Sequence, residues 1–98
     1  MDKIEYKVKE GKKSVEKSIE LKDLSWSEWC KAQDISFMLQ NPNGSMFTNI
    51  ANYVQLYTGK TEPAMLEWRD SFDFYGDFQS ELITIAREIG NHLSKKKK

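Results

Sequence analysis

The chain has 98 residues, enough for one domain with a hydrophobic core and too few for two. Hydrophobic residues make up 39% and aromatic residues 12%, which excludes a disordered chain, while 31% charged residues indicate a thin core and a wet surface. The formal net charge is zero, but residues 23–94 carry ten acidic side chains against four basic ones. Most of the surface would therefore repel phosphate, and we expect a protein partner rather than a nucleic acid.

Two features indicate the compartment. The segment from Met1 to Glu5 lacks the apolar stretch of a signal peptide, and no run approaches the roughly 18 apolar residues of a membrane span. Cys30 is the single cysteine, so an internal disulfide is excluded. We expect a cytoplasmic protein that does not contact a membrane.

Residues 3–21 alternate between apolar and charged side chains in two runs. The apolar members are Ile4, Tyr6 and Val8, then Val15, Ile19 and Leu21. This pattern predicts an antiparallel β-hairpin whose apolar face packs on a helix, on another chain, or on both, because an isolated hairpin is marginal. Lys17 stands in the apolar register. Either a bulge shifts the register there, or the lysine lies near an edge and extends its stem to water.

Ser25 and Glu28 form the capping box that begins the first helix, and Leu24 and Trp29 can close a hydrophobic staple around it. The helix is predicted over residues 26–39. We expect Trp26 and Trp29 to lie mostly in the core. The side chains available for burial are Trp26, Trp29, Cys30, Phe37 and Met38.

Three further helices follow. The segment 41–44 ends the first helix, Ser45 can cap the second and Gly59 fits its C′ position. The apolar stripe of the second helix is Phe47, Ile50, Ala51, Val54 and Tyr57. Thr61, with Pro63 in the first turn, marks the start of the third helix, and a break is predicted around Gly76.

The last helix begins at Asp77 and has the clearest amphipathic pattern of the chain. Its stripe is Phe78, Leu82, Ile85, Ile89 and Leu93. The predicted fold is thus a single α+β domain over residues 1–94. It consists of a hairpin at 3–21 and three or four helices within 25–93, followed by a disordered basic tail at 95–98.

Motifs that usually carry chemistry are incomplete. Gly59-Lys60-Thr61 imitates the end of a phosphate-binding loop, but Val54 stands where the first glycine is needed. Asp70, Asp73 and Asp77 suggest calcium, yet Phe72 and Phe74 occupy the next ligand positions of such a loop. His92 is the only histidine, so one copy cannot assemble a zinc set. We expect no metal, no cofactor and no enzymatic activity.

Aromatic side chains are numerous for a domain of this size, and aromatic residues are enriched at protein interfaces. Most such rings belong to cores, but two close clusters cannot all face inward. The segment from Trp68 to Phe78 surrounds its rings with acids. We predict a partner-binding surface with an acidic rim of Glu67, Asp70, Asp73 and Asp77, built from Trp68, Phe72, Phe74 and Tyr75.

The order of these elements resembles that of the small tail assembly chaperones of long-tailed bacteriophages. In that family a hairpin leads into a helix start similar to Leu24-Ser25-Trp26-Ser27-Glu28, and an aromatic, acidic turn similar to residues 70–74 precedes a final amphipathic helix. The resemblance covers residues 4–93. It implies a non-enzymatic protein, often in several copies, that coats the tape-measure protein while the tail tube assembles.

The first hypothesis is therefore a phage tail assembly chaperone in the host cytoplasm, which binds the tape-measure or tail tube protein and associates with itself. A small nucleic-acid-associated regulator, or a phage structural protein, is the alternative, since the hairpin and the Lys95–Lys98 tail could contact phosphate. An enzyme without a cofactor ranks third.

Overall fold

The computed structural model describes residues 2–10, 12–40 and 46–96, and it has the α+β architecture that the sequence predicts. Two antiparallel strands form a hairpin, and four helices follow. The strands are β1 (Asp2–Glu10) and β2 (Lys13–Leu21). The helices are α1 (Trp26–Gln40), α2 (Met46–Thr58), α3 (Glu62–Asp70) and α4 (Tyr75–Lys96).

The hairpin is regular along its whole length. Its register advances by one residue on each strand, from Asp2 opposite Leu21 to Glu10 opposite Lys13. The bulge considered at Lys17 is therefore wrong. The alternative, a lysine that extends to water at an edge, is also wrong, because Lys17 lies opposite the buried Tyr6 and shares its inward face.

The hairpin's inner face packs on α4, which supplies the centre of the core. Ile4, Tyr6 and Leu21 are buried on the strand side. The predicted α4 stripe is confirmed: Phe78, Leu82, Ile85 and Ile89 are buried, and Leu93 is partly buried at its end. The remaining core side chains come from α1 and α2: Ala32, Ile35, Tyr53, Val54 and Tyr57. The marginal hairpin is thus stabilised by the helix it covers.

The buried face predicted for α1 is wrong. Trp26 is 77% exposed, Trp29 45%, Phe37 66% and Met38 47%, and Cys30 is only partly buried. Ala32 and Ile35 are the residues of α1 that face the core instead. At 100° per residue, Trp26 and Phe37 lie about 160–180° away from Ile35, so only one of the two apolar faces can turn inward. The small Ala32 lets α1 approach its neighbour, which the tryptophans would prevent.

The capping box at the start of α1 is confirmed. The Glu28 N–H donates to Ser25 Oγ at 3.3 Å, and the Ser25 N–H donates to Glu28 Oε1 at 3.0 Å. Trp29, however, stacks on Trp26, with ring centroids 5.5 Å apart and planes 18° apart. Residues 41–45, including the predicted helix stop and the Ser45 cap, lie outside the described residues.

The boundaries of α2 and α3 follow the predicted signals. Gly59 has φ +69° and its N–H donates to Gln55 O at 2.9 Å, as expected of a glycine at C′. The predicted stripe of α2 is correct at Val54 and Tyr57, whereas Phe47 is 39% exposed. Thr61 caps α3 by accepting from the Ala64 N–H at 3.4 Å.

Two boundaries of α4 differ from prediction. The break falls at residues 71–74, and Gly76 lies within the first turn of the helix. At the other end α4 continues through Lys95 and Lys96, so the predicted disorder is wrong for these two lysines. Lysines propagate a helix well, which explains the extension. Lys97 and Lys98 lie outside the described residues.

Replacing Ile85 by alanine should destabilise the domain by about 2–5 kcal/mol, because Ile85 is fully buried and its truncation leaves a cavity. Ile83 on the same helix is 40% exposed, so Ile83→Ala is the matched control and should cost about 1 kcal/mol or less. Chemical denaturation measures both losses. Equal losses would show that α4 does not face the core as described.

The domain should unfold in alkali. Burial and the neighbouring Tyr57 raise the pKa of Tyr53 to about 12, and burial raises the pKa of Tyr57 as well. Between pH 10, where an unfolded tyrosine ionises, and pH 12, the native state holds protons that the unfolded state has lost, so stability falls as pH rises. Circular dichroism and tyrosinate absorbance should change together. Ionisation of Tyr53 and Tyr57 near pH 10 in a folded domain would contradict this.

Candidate functional site

A groove opens between the distal half of the hairpin and the turn that joins α3 to α4. Its volume is about 520 Å³. Aromatic side chains and carboxylates come from the helical side, and Val8 and two lysines come from the strands. We call this the aromatic groove; its lining residues are Val8, Lys9, Lys17, Trp68, Ser71, Phe72, Asp73, Phe74, Asp77 and Glu81.

Two of the aromatic walls are fixed by the core beneath them. The Trp68 ring meets the buried Phe78 edge-on, with centroids 5.3 Å apart and planes 77° apart. The Phe72 ring lies 5.5 Å from Phe78 at 55°. Both arrangements are favoured by the aromatic quadrupole. Trp68 and Phe72 are therefore held in place by the core.

The floor of the groove contains a buried carboxylate. Glu81 is 2% exposed, and it accepts from Tyr6 OH at 3.2 Å and from Lys17 Nζ at 3.0 Å. A buried carboxylate is tolerated only when it is paired and hydrogen-bonded. Burial, the Glu81 charge and this hydrogen bond together raise the pKa of Tyr6 above its usual range. Glu81 thus links β1, β2 and α4 at one point.

Lys17 joins this floor to the aromatic wall. Its ammonium lies 5.5 Å from the centre of the Phe72 ring as well as within bonding distance of Glu81. A cation over a ring face is attracted by the π-electrons. The inward lysine therefore positions Phe72 through charge, while Phe78 positions it through packing.

The structure brings together three of the four predicted partner-binding residues. Trp68, Phe72 and Phe74 line the groove, and Phe74 is 71% exposed at its mouth. Tyr75, 56% exposed, faces the other side of the turn, where Arg69 lies 5.1 Å from its ring and Asp70 Oδ1 lies 3.5 Å from its hydroxyl. Tyr75 shares a shallow surface depression with Phe72 and Phe74 instead.

Three of the four acids predicted for the rim are divided between these two sides, whereas Glu67 is exposed and lines neither. Asp73 and Asp77 line the groove, whereas Asp70 is engaged with Arg69, whose Nε lies 3.0 Å away. The Ser71 hydroxyl donates to Trp68 O at 2.6 Å and so serves to cap α3. Chemically, the groove offers apolar contact surface and two carboxylates for a cationic flank. These groups suit recognition of a polypeptide.

Sequence reasoning missed the roles of Glu81 and of the α1 surface. Glu81 stands one residue before Leu82 and four before Ile85, inside the apolar stripe of α4. The sequence does contain a signal for this pair. Lys17 interrupts the apolar alternation of β2, Glu81 interrupts the apolar stripe of α4, and the two charges have opposite signs. The exposed α1 rings were indicated by the presence of large apolar residues on opposite sides of that helix, since only one side can face the core.

A second cavity, of about 560 Å³, lies between α1 and α2. Its rim carries Lys22 and Glu28, whose Nζ and Oε2 atoms are 2.7 Å apart. The hydrogen bond from Lys22, followed by those from Ser25, lowers the pKa of Glu28 to about 2. Lys22 and Glu28 therefore neutralise each other, while Lys31, Asp34 and Lys60 also line the cavity, whose described lining residues form no aromatic wall of the kind found in the aromatic groove.

Two searches concern other classes of site. Within residues 2–10, 12–40 and 46–96, no three His, Cys, Asp or Glu side chains are grouped so as to hold a metal ion. Over the same part of the chain, none of the helices has both the length and the apolar character needed to cross a membrane.

Comparison with known proteins gives no match to a protein family, to a curated protein or to a solved structure.

Replacing Lys17 by methionine should destabilise the domain by about 1–3 kcal/mol, because it leaves the Glu81 carboxylate buried without its cation. The double change Lys17→Met/Glu81→Gln should recover at least half of that loss, since the amide oxygen still accepts from Tyr6.

Lys7→Met is the control, because Lys7 points away from the helices, and it should change stability by less than about 0.5 kcal/mol. Denaturant titration of the variants measures each effect. A loss at Lys17 no larger than that at Lys7 would contradict the structural role of the ion pair.

Proposed function

We propose that this protein is a non-enzymatic assembly chaperone of a long-tailed bacteriophage, which binds the tape-measure protein in the host cytoplasm. The observation that carries the proposal is the aromatic groove, whose preformed walls end in the exposed ring of Phe74. The order of hairpin, capped helix and acidic aromatic turn, which resembles that of tail assembly chaperones, supplies the identity of the client.

The groove suits an amphipathic helix. A client of this kind presents an apolar stripe flanked by lysines, and such stripes dock in apolar grooves through anchors at helical spacing. Trp68 and Phe72 offer a fixed apolar surface, and the exposed Phe74 ring can pack over an apolar side chain of the client helix. Asp73 and Asp77 provide the complementary charge at the rim.

Preorganisation supports binding at this place. Ordering flexible side chains on association costs about 0.5–1.5 kcal/mol for each one. Trp68 and Phe72 are already packed on Phe78, and Lys17 is already held by Glu81. Phe74, Lys9 and the two carboxylates remain to be ordered, so the fixed rings contribute their contact energy to affinity without this cost.

The nucleic-acid alternative is less well supported by the charges. The outer face of the hairpin places Lys3 opposite Glu20 and Lys7 opposite Glu16. Lys3 and Lys7 thus each have a carboxylate as cross-strand neighbour, which weakens their attraction for phosphate, whereas Lys9 on the same face lies opposite Ser14. Binding of DNA or RNA with a steep decrease between low and moderate salt would favour the alternative over the chaperone.

The Phe74→Ala/Tyr75→Ala double variant should bind the client at least about tenfold more weakly, because exposed aromatic anchors dominate interface energies. Its free energy of unfolding should change by less than about 1 kcal/mol. The client is the very long, helix-rich, repetitive protein that we expect to be encoded just downstream. Co-purification and titration with a segment of that protein measure the loss.

Leu66→Ala is the control, because Leu66 is 44% exposed on α3 and does not line the groove. It should leave client binding unchanged. Unfolding of the double variant would mean that the two rings belong to the core. Undiminished binding by a folded double variant, or a gene that has no such neighbour, would count against the proposed function.

A further inference from the structure

The surface of α1 that points away from the core is apolar and uncharged. Its exposed rings are Trp26, Trp29 and Phe37, with Cys30 and Gln33 between them on the same side of the helix. We call these five residues the α1 outer face. Trp26 and Phe37 are eleven residues apart, which is about 16 Å along a helix.

The charges of α1 lie elsewhere. Glu28, Lys31 and Asp34 all line the cavity between α1 and α2. In a chain with 31% charged residues, the α1 outer face thus contains apolar groups and one amide only. A contiguous exposed apolar patch of this kind marks an interaction surface.

The absence of charge selects the partner. A client helix flanked by lysines finds carboxylates at the aromatic groove and none on the α1 outer face. A two-fold interface brings the same surface of both copies together, so a charged strip would face charges of its own sign. An uncharged apolar strip avoids this repulsion and is complementary to an identical strip. The fitting occupant is therefore a second copy of this chain.

The area is sufficient for a specific contact. The three rings expose roughly 400 Å² per copy, given their exposed fractions and the usual size of aromatic side chains. Two copies would bury about 800 Å² through the rings alone. The partly exposed atoms of Cys30 and Gln33 bring the total near the roughly 1,000 Å² that a biological interface needs.

We propose that two copies associate by antiparallel packing of their α1 outer faces, with Trp26 of each copy against Phe37 of the other. The expectation of several copies rests on the proposed function, whereas the place of contact rests on α1 itself. None of the residues that line the aromatic groove belongs to α1. The dimer therefore leaves both grooves open and presents two client sites instead of one, which raises avidity for a repetitive client.

Sedimentation of the full chain over a range of concentrations tests the proposal with a matched pair of variants. Phe37→Glu and Phe74→Glu replace the same residue at similar exposure, 66% and 71%, on different surfaces. Phe37→Glu should raise the dimer dissociation constant at least about 30-fold, because it places a charge in the contact. Phe74→Glu should leave the dimer unchanged while it weakens client binding.

The single cysteine provides an independent measurement that does not depend on these variants. In the proposed arrangement the two Cys30 residues are about 4.5 Å apart along helix axes separated by about 8–10 Å. A short bis-maleimide should therefore join two wild-type copies, and the yield should fall to background in Gln33→Glu, which places two like charges at the centre of the contact.

Each outcome decides the question. A wild-type chain that remains monomeric, a Phe37→Glu variant that dimerises like the wild type, or equal cross-linking of wild type and Gln33→Glu would overturn the proposal. A dimer that forms through the α1 outer face but binds no client would refute the proposed function and leave this inference intact.

Discussion

The contact between the inner face of the hairpin and α4 is the interaction on which the remaining structure depends. Ile4 and Tyr6 bury their side chains against this helix. The carboxylate of Glu81 on α4 accepts hydrogen bonds from the Tyr6 hydroxyl and the Lys17 ammonium. The apolar part supplies the driving force, since a two-stranded sheet alone is marginal. The polar part fixes the register, because a slip of β2 by one residue would turn Lys17 to solvent and leave the Glu81 carboxylate buried without its cation.

The same contact creates the aromatic groove. Lys17 reaches Glu81 beside the Phe72 ring, and Phe78, six residues after Phe72, packs against both Phe72 and Trp68. The groove is therefore a consequence of how the hairpin meets the helices. The α1 outer face has a different origin, because α1 uses one apolar side for the core and keeps the other exposed. The two surfaces differ in charge, and for this reason we propose different partners for them, a basic amphipathic client for the groove and a second copy for the α1 outer face.

Local signals predicted the fold well. The alternation in the strands, the Ser25 cap, the Thr61 cap and the spacing of the α4 stripe each depend on residues within a few positions, and each was correct. The phase of α1 could not be predicted, since large apolar residues stand on both of its sides and only tertiary packing selects Ala32. For the site, clustering of rings among acids predicted an exposed Phe74 but not the ion pair beneath it, because Lys17 and Glu81 are 64 positions apart.

Native-state hydrogen exchange tests most directly whether the hairpin and α4 form one unit. The amides of Tyr6 and Lys17 should open with the same free energy as those of Leu82 and Ile85, equal to the free energy of global unfolding, because strands and helix can separate only by exposing the core and an unpaired Glu81. Glu81→Gln should lower all four values together. Hairpin amides that exchange at a free energy more than about 2 kcal/mol below the α4 amides would contradict this account.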